Sequence, residues 1–379
     1  MMAITGLVIL FGSMAIESRS TTTLPAPTGA FPVGRTTLDW RDSKRELLAW
    51  IWYPSEPSAN REDYIPASLR TEVDRDRGIL DGRFLTRDLS KVHSHSFRNP
   101  DVSRQQQSYP VVIMRGGASL EVWNYSTLAE DLASHGYIVV GFDAPWRTGI
   151  VMFPDGRVMR RLPENNAEVC EEQPLPQQDA CVSKILAAWS SDTAFALDRL
   201  TQMNNDPSDK FSGRLDMTRA GIFGHSFGGA TALQFCHDDP RCKAGIDIDG
   251  EPFGSVIQDG LRQPFMFILS DQIHGTDPET RQVLANVQSI YDRLPADGRQ
   301  RILIQGANHF LFNDDGALLK SHIIMGTLRA LGIVGIDGRR QLAVTAHSVH
   351  SFFDVYLKGT AAPPPVLASP LYPEIQLLN

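Results

Sequence analysis

The pattern of apolar and polar positions becomes regular at Tyr109. From there, apolar runs such as "YPVVIM" and "YIVVGFD" alternate with segments of helical periodicity such as "STLAEDLASHG". Further apolar runs follow at "AGIF", "KAGIDI", "PFMFIL" and "RILIQ", with helices predicted around residues 229–236, 278–294 and 316–331. Strands that alternate with helices predict a mostly parallel sheet covered on both faces, and hence one α/β domain.

The remaining segments have weaker or longer patterns. "RTTLDW" and "LLAWIWYP" predict two strands, whereas residues 55–108 are charged and irregular and receive no assignment. Residues 144–181 form a long excursion without a clear period. Loops of this length inside a compact domain usually have a function, so we predict a lid or a pocket wall there.

The first residues predict an export signal. No charged side chain precedes Glu17, and the apolar stretch over residues 3–16 is too short to span a bilayer comfortably. "SMA" at residues 13–15 offers a small-x-small cleavage site, although the usual positive charge before the apolar stretch is missing. We therefore predict a signal peptide over residues 1–20, a domain over residues 21–379, no stable membrane insertion, and a secreted or periplasmic protein.

The charge balance of the chain argues against strongly anionic partners. The chain has 44 acidic and 36 basic residues, for a net charge of −8. No basic stripe interrupts this balance, so neither nucleic acid nor an anionic membrane surface is expected to bind.

Four cysteines lie in two close pairs, Cys170 with Cys181 and Cys236 with Cys242. Neither pair has the CxxC spacing of a metal site. In an exported protein, an even number of closely spaced cysteines predicts two local disulfides, whereas in a reducing compartment the same residues would be four thiols.

The most informative motif is "GHSFG" at residues 224–228, which fits G-x-S-x-G around Ser226. It follows the predicted strand "AGIF" and opens a predicted helix, which is where a nucleophile elbow lies. A phosphate-binding loop is excluded because no Lys-Ser or Lys-Thr follows the glycines. The motif also occurs in ordinary turns, so its meaning depends on whether Ser226 has catalytic partners.

A serine hydroxyl is a poor nucleophile at neutral pH unless a base takes its proton. The base in turn is oriented by a carboxylate. His309 directly follows the last predicted strand, "RILIQ", and is the predicted base. Two carboxylates follow earlier strands, Asp249 after "KAGIDI" and Asp271 after "PFMFIL". Spacing alone leaves both open and slightly favours Asp271, because its strand is the more usual place for the acid.

An oxyanion hole needs two backbone N–H groups directed at the developing charge. Phe227, the residue after the serine, is predicted to supply one of them. The second is predicted from Gly117, because "VVIMRGGAS" places a glycine pair directly after an early strand.

Three motifs together resemble a known family. "GHSFGGAT", "DLASHGYIVV" and a carboxylate after "KAGIDI" are similar to the plasma-type (isoform II) platelet-activating-factor acetylhydrolases, near the dienelactone-hydrolase branch of the α/β-hydrolases. The resemblance runs from about Tyr109 to about Asp315. It implies a single α/β-hydrolase domain, and it implies Asp249 rather than Asp271 as the acid.

The same resemblance supports His309 as base and the amides of Gly117 and Phe227 as oxyanion donors. Two features depart from the family. Arg115 stands where the family usually has a histidine before the glycine, and the 144–181 excursion has no counterpart.

By resemblance, the substrate is a small-molecule or lipid ester, such as a phospholipid with a short or oxidised acyl chain. The resemblance also implies that cleavage passes through an acyl-enzyme. Trp123 and Trp146 flank the predicted site and are expected to contact the substrate. No metal or cofactor is expected, since "DIDGE" begins like a calcium loop but lacks its later ligands.

Two alternatives for the function remain. The first is a broad carboxylesterase or polyester hydrolase without a phospholipid role, and the second is a hydrolase-fold binding protein that has lost catalysis.

Overall fold

The computed structural model describes residues 20–80, 87–171, 173–318, 335–360 and 370–378, together with isolated positions at 12, 16–17, 326–327 and 329–332. Nearly all of the predicted signal peptide lies outside the described residues and stays a prediction. Within the part of the chain that is described, no helix combines the length and the apolar character needed to cross a bilayer.

Most strands belong to one sheet. The strands are β1 (Thr22–Thr23), β2 (Val33–Arg41), β3 (Glu46–Pro54), β4 (Arg61–Asp63), β5 (Val92–Arg98), β6 (Tyr109–Arg115), β7 (Ile138–Asp143), β8 (Ile150–Met152), β9 (Val158–Arg160), β10 (Leu215–His225), β11 (Cys242–Ile248), β12 (Phe265–Leu269), β13 (Arg299–Ile304) and β14 (Ile375–Leu377). Among the described residues, twelve strands form a sheet in the order β1-β5-β2-β3-β7-β6-β10-β11-β12-β13-β14, with β4 beside β5, and β8 pairs with β9 separately.

The centre of this sheet is parallel, as the sequence predicts. The neighbours from β7 through β6, β10, β11 and β12 to β13 all run in the same direction. The strands beside this block run the other way, since β3 is antiparallel to β7 and β14 is antiparallel to β13. The carboxyl ends of the central strands therefore meet along one edge, where α/β sheets bind their ligands.

Helices cover both faces of the sheet. They are α1 (Ala67–Leu80), α2 (Ser126–Ser134), α3 (Glu168–Glu171), α4 (Leu175–Asn205), α5 (Phe227–Asp238), α6 (Val256–Asp259), α7 (Pro278–Arg293), α8 (Asp315–Leu318) and α9 (Gly338–Tyr356). Side chains alternate along β6: Val112 and Met114 join the core formed with α2 and α9, whereas Val111 and Ile113 join the core formed with α4, α5 and α7. This two-faced arrangement confirms the predicted α/β architecture.

The unassigned residues 55–108 contain regular structure after all, namely β4, α1 and β5. The pattern of β5 is hidden because two of its inward positions are serines, Ser94 and Ser96, instead of apolar residues. The Ser96 hydroxyl and N–H both donate to the carboxylate of Glu130 in α2, at 2.5 and 2.8 Å. A buried polar pair thus replaces the hydrophobic contact that a strand prediction relies on.

The structure contains both predicted disulfides. Cys170–Cys181 joins α3 to α4, and Cys236–Cys242 joins the end of α5 to the start of β11. Cys170 also belongs to a small apolar cluster that includes Phe227. Through this cluster, the 144–181 excursion packs against the residue that follows Ser226.

Candidate active site

Ser226 occupies a sharp turn between β10 and α5. Its φ of +56° is a conformation that residues other than glycine rarely adopt. The backbone is crowded around it: a Cβ on Gly224 would lie 2.0 Å from the carbonyl oxygen of Gly228, and a Cβ on Gly228 would lie 2.4 Å from the carbonyl oxygen of Gly116. Glycine is therefore required at both positions of this tight strand-to-helix turn, which we call the elbow.

Ser226 lines a cavity of about 430 Å³ at the carboxyl edge of the sheet, together with Asp249 and His309. The other lining residues follow β11 or extend from β12 into α7: Gly250, Glu251, Leu269, Gln272, Ile273, Asp277, Glu279, Thr280, Val283 and Leu284. The volume lies within the range of small-molecule sites. The walls thus come mainly from the segment before and within α7.

His309 and Asp249 are hydrogen-bonded inside this cavity. The Nδ1 atom of His309 lies 2.9 Å from Oδ2 of Asp249. The other carboxylate oxygen, Oδ1, accepts the N–H of Ser270 at 2.7 Å, which fixes the carboxylate at the ends of two neighbouring strands. With its Nδ1 proton donated to Asp249, the imidazole keeps Nε2 as its basic nitrogen.

Asp271, the alternative acid, has a different partner. Its Oδ2 accepts the N–H of Gly306 at 2.9 Å, and its own N–H donates to the carbonyl of Ala307 at 3.2 Å. The carboxylate of Asp271 therefore braces the turn that leads from β13 to His309, while the imidazole itself bonds to Asp249.

The loop that carries His309 is fastened to helix α9 by Gln341. The buried Gln341 side chain accepts the N–H of Asn308 at 3.0 Å and donates to the carbonyl of Asn308 at 2.8 Å. A few residues later, Asp314 accepts the N–H groups of Ser126 and Thr127 at the start of α2, each at 3.1 Å. Hydrogen bonds thus fix the chain on both sides of His309.

Replacing Gln341 with leucine is expected to weaken both the fold and the positioning of His309. The substitution leaves the N–H and carbonyl of Asn308 without their partner, which costs about 1–3 kcal/mol of unfolding free energy. A displaced imidazole is expected to lower kcat for an ester roughly ten- to hundredfold. Urea denaturation and steady-state kinetics measure the two effects.

Ser348→Ala is the matched control, because it removes the hydrogen bond of the Ser348 hydroxyl to Val344 within the same helix. It is expected to lower stability without lowering kcat. Equal kcat values for Gln341→Leu and Ser348→Ala would contradict a positioning role for Gln341.

The loop after β6 lies directly against the elbow. A Cβ on Gly117 would lie 3.4 Å from the Cβ of Ser226, so a side chain there would touch the serine. The N–H of Gly117 donates to the hydroxyl of Tyr125 at 2.9 Å. Phe227 begins α5, and the first amides of a helix have no partner within the helix.

Arg115, where the sequence departs from the family pattern, packs beneath the elbow. Its guanidinium lies 3.9 Å from the ring centroid of Phe142 and 4.6 Å from that of Trp189, and it donates to the carbonyl of Phe142 at 3.1 Å. Burial lowers the pKa of Arg115 to about 10, so the group stays charged at neutral pH. Trp189 in turn contacts the ring of Phe227 edge-on at 5.0 Å. Arg115 therefore belongs to the support of α5 and not to the cavity wall.

The two tryptophans expected to contact substrate lie elsewhere. Trp123 has no exposed surface and packs edge-on against Tyr64 at 5.5 Å in the core. Trp146 is 45% exposed and lines a separate, charged cavity with Arg147 and Arg157. Neither residue lines the cavity that holds Ser226.

One group among the described residues has the spacing of metal ligands. The nearest side-chain atoms of Asp131, His135 and His350 lie within 4.8 Å of one another. Hydrogen bonds already engage these atoms, since His350 Nδ1 lies 2.7 Å from Asp131 Oδ2 and His135 Nε2 lies 2.9 Å from the hydroxyl of Thr28. The group joins the N-terminal segment to α2 and α9 and is separate from the cavity of Ser226.

Comparison with known proteins assigns the family. The sequence profile of the family described as platelet-activating factor acetylhydrolase, isoform II, matches residues 16–147 and 160–359. Platelet-activating factor acetylhydrolase of Cavia porcellus is 24% identical over 321 residues, which cover 79% of this chain and 71% of that protein. A probable 1-alkyl-2-acetylglycerophosphocholine esterase of Arthroderma benhamiae is 24% identical over 411 residues, with 98% of this chain and 97% of that protein covered.

A solved structure supports the same assignment at the level of the fold. A ferulic acid esterase from Streptomyces cinnamoneus is similar with a TM-score of 0.75 and 25% sequence identity, over 95% of this chain and 100% of that one. The likeness confirms the predicted α/β-hydrolase fold. With the profile matching most of its length, the chain belongs to the isoform II family of platelet-activating factor acetylhydrolases.

Proposed function

We propose that this protein is a serine ester hydrolase that works through an acyl-enzyme. The observation that carries the proposal is the hydrogen bond between His309 and Asp249 inside the cavity that Ser226 lines. A nucleophile, a base and an acid that orients the base occur here in the chain order of the α/β-hydrolases.

In the proposed reaction, Nε2 of His309 takes the proton of Ser226 as the serine oxygen attacks the ester carbonyl. Asp249 holds the imidazole in orientation and stabilises its positive charge. The tetrahedral oxyanion is stabilised by the amide of Phe227. Gly117, the second donor expected from the sequence, lies against Ser226, and its N–H donates to Tyr125. The alcohol leaves with the proton from His309, and a water activated by His309 then releases the acid.

The proposed substrates are phospholipid-like esters with a short acyl chain. Family membership supports this class, and the cavity of about 430 Å³ presents apolar side chains from Leu269, Ile273, Val283 and Leu284 next to Ser226. We also propose export, because two disulfides suit an oxidising compartment.

A second candidate is a general carboxylesterase without a phospholipid role. The observation in its favour is the similarity to a ferulic acid esterase over nearly the whole chain. Both candidates use the same serine chemistry and differ only in the ester that fits the cavity.

A substrate panel separates the two candidates. We expect p-nitrophenyl acetate and butyrate to be cleaved with kcat/KM at least about tenfold above the decanoate, because a misfit of even one methylene is worth a factor of ten or more. We also expect cleavage of a short-acyl phosphatidylcholine, and loss of all these activities in Ser226→Ala. Activity on the aryl esters alone would favour the carboxylesterase, and a preference for the decanoate would contradict the short-acyl assignment.

A further inference from the structure

The hydroxyl of Tyr125 lies where the loop after β6 meets the elbow. It accepts the N–H of Gly117 at 2.9 Å and lies 2.8 Å from Nδ1 of His225. Tyr125 and His225 are both buried, with 1% and 3% of their surface exposed. A continuous hydrogen-bonded chain therefore links the loop beside Ser226 to the residue that precedes Ser226.

The direction of each hydrogen bond in this chain follows from the groups present. A backbone N–H can only donate, so the oxygen of Tyr125 accepts from Gly117. The other described partner of the hydroxyl is Nδ1 of His225, and we assign the hydroxyl hydrogen to it, because a hydrogen on Nδ1 would leave the hydroxyl without a described acceptor. His225 therefore carries its hydrogen on Nε2.

This arrangement matters because His225 lies beside the proposed base. The ring centroids of His225 and His309 are 4.6 Å apart. Burial, and after it the neighbouring His309, lower the pKa of His225 well below its usual value. A neutral His225 adds no repulsion when His309 becomes positively charged during the proposed reaction, whereas a second imidazolium at this distance would oppose it.

We propose that Tyr125 is a positioning residue for this reaction: its hydroxyl fixes the Gly117 loop against the elbow and holds the ring of His225 beside His309. The inference rests on the proposed function of Ser226. Tyr125 acts through Gly117 and His225, and it has no role in binding the substrate itself.

Tyr125→Phe tests the inference, and Tyr137→Phe is its matched control. Tyr137 is equally buried in the same core, and its hydroxyl donates to Asp354 at 2.8 Å. It precedes β7 and so lies at the amino ends of the strands, away from the cavity. Both variants are expected to lose comparable stability in urea.

Only Tyr125→Phe is expected to lose turnover. We expect kcat for p-nitrophenyl butyrate to fall about ten- to hundredfold with KM within about twofold, because the lost contacts act on the transition state and not on substrate binding. The affinity for a trifluoromethyl ketone, which adds to the serine as a tetrahedral oxyanion, is expected to fall by the same factor. Tyr137→Phe is expected to match the wild type in all three quantities.

A second variant keeps the test decisive if Tyr125→Phe folds poorly. His225→Leu removes the acceptor at the other end of the hydroxyl, and it is expected to lower kcat to a similar extent. Since both substitutions break one chain, the double variant should lose no more than the worse single variant.

Two outcomes overturn the inference while leaving the proposed function intact. Either Tyr125→Phe retains the kcat of Tyr137→Phe, or it turns over faster than the wild type because the hydroxyl restrains the Gly117 amide. A wild-type protein without any ester hydrolysis would instead overturn the proposed function, and the role of Tyr125 with it.

Discussion

Replacing Ser226 with alanine is expected to lower kcat for p-nitrophenyl butyrate by roughly 10³- to 10⁶-fold. Alanine removes the oxygen that would bond to the acyl carbon and leaves the backbone amide of Phe227 in place. What remains is stabilisation of the oxyanion during direct attack by water, which is slow. Steady-state kinetics on the purified variant measure the loss, and circular dichroism checks that the variant keeps the overall fold although residue 226 has a positive φ.

Ser190→Ala is the control for this prediction. Ser190 is a buried serine of α4 outside the cavity, so its substitution tests for a general effect of removing a buried hydroxyl. It is expected to keep kcat within about twofold of the wild type, as for a change away from the site. Retention of more than a tenth of the wild-type kcat in Ser226→Ala would contradict the proposed nucleophile.

Asp249→Asn is expected to lower kcat by about 10⁴-fold with little change in stability. The amide oxygen of asparagine can still accept the N–H of Ser270, so the end of β11 keeps its support. The amide nitrogen would then face His309 and donate to Nδ1, which moves the imidazole hydrogen to Nε2. His309 would no longer be able to accept the serine proton, and its positive charge would lack a carboxylate partner.

Asp271→Asn provides the matched control, because asparagine can accept the N–H of Gly306 just as the carboxylate does. We expect its kcat to stay within about threefold of the wild type, since the substitution leaves the imidazole contact untouched. The reverse ranking of the two variants would place the acid after β12 and would contradict the assignment of Asp249.

The architecture was accessible from the sequence because its signals are local. Continuous apolar runs mark β6, β7 and β10 to β13, since these strands are buried on both faces. Strand β5, between β3 and β6, could not be predicted from the sequence, because the buried Ser96 hydrogen-bonds to Glu130, which is 34 residues away in the chain. Such a contact leaves no periodic pattern in either segment.

The residues of the site divide in the same way into those with a local sequence signal and those with only distant contacts. Ser226 and His309 could be proposed because each follows a recognisable strand, and the glycines around Ser226 have a steric reason. Asp249 and Asp271 both follow a strand, and only the family resemblance favoured Asp249. Tyr125 and Gln341 could not be proposed from the sequence. Their hydrogen-bond partners His225 and Asn308 are 100 and 33 residues away in the chain, and neither residue stands in a motif.

The cavity walls were not evident from the sequence pattern. The length of the 144–181 excursion predicts a lid or a pocket wall, whereas the described lining residues lie mainly before and within α7, whose amphipathic pattern is typical of any surface helix. A role of the excursion as a lid stays a prediction. The excursion contacts the site indirectly, through the apolar cluster that contains Cys170 and Phe227.

Covalent labelling with a fluorophosphonate, followed by intact mass and peptide mapping, tests whether Ser226 is the nucleophile. We expect one adduct per chain, located on Ser226, and no adduct in the Ser226→Ala variant. An active wild-type enzyme that stays unlabelled, or one labelled at another serine, would contradict the proposed nucleophile and the mechanism built on it.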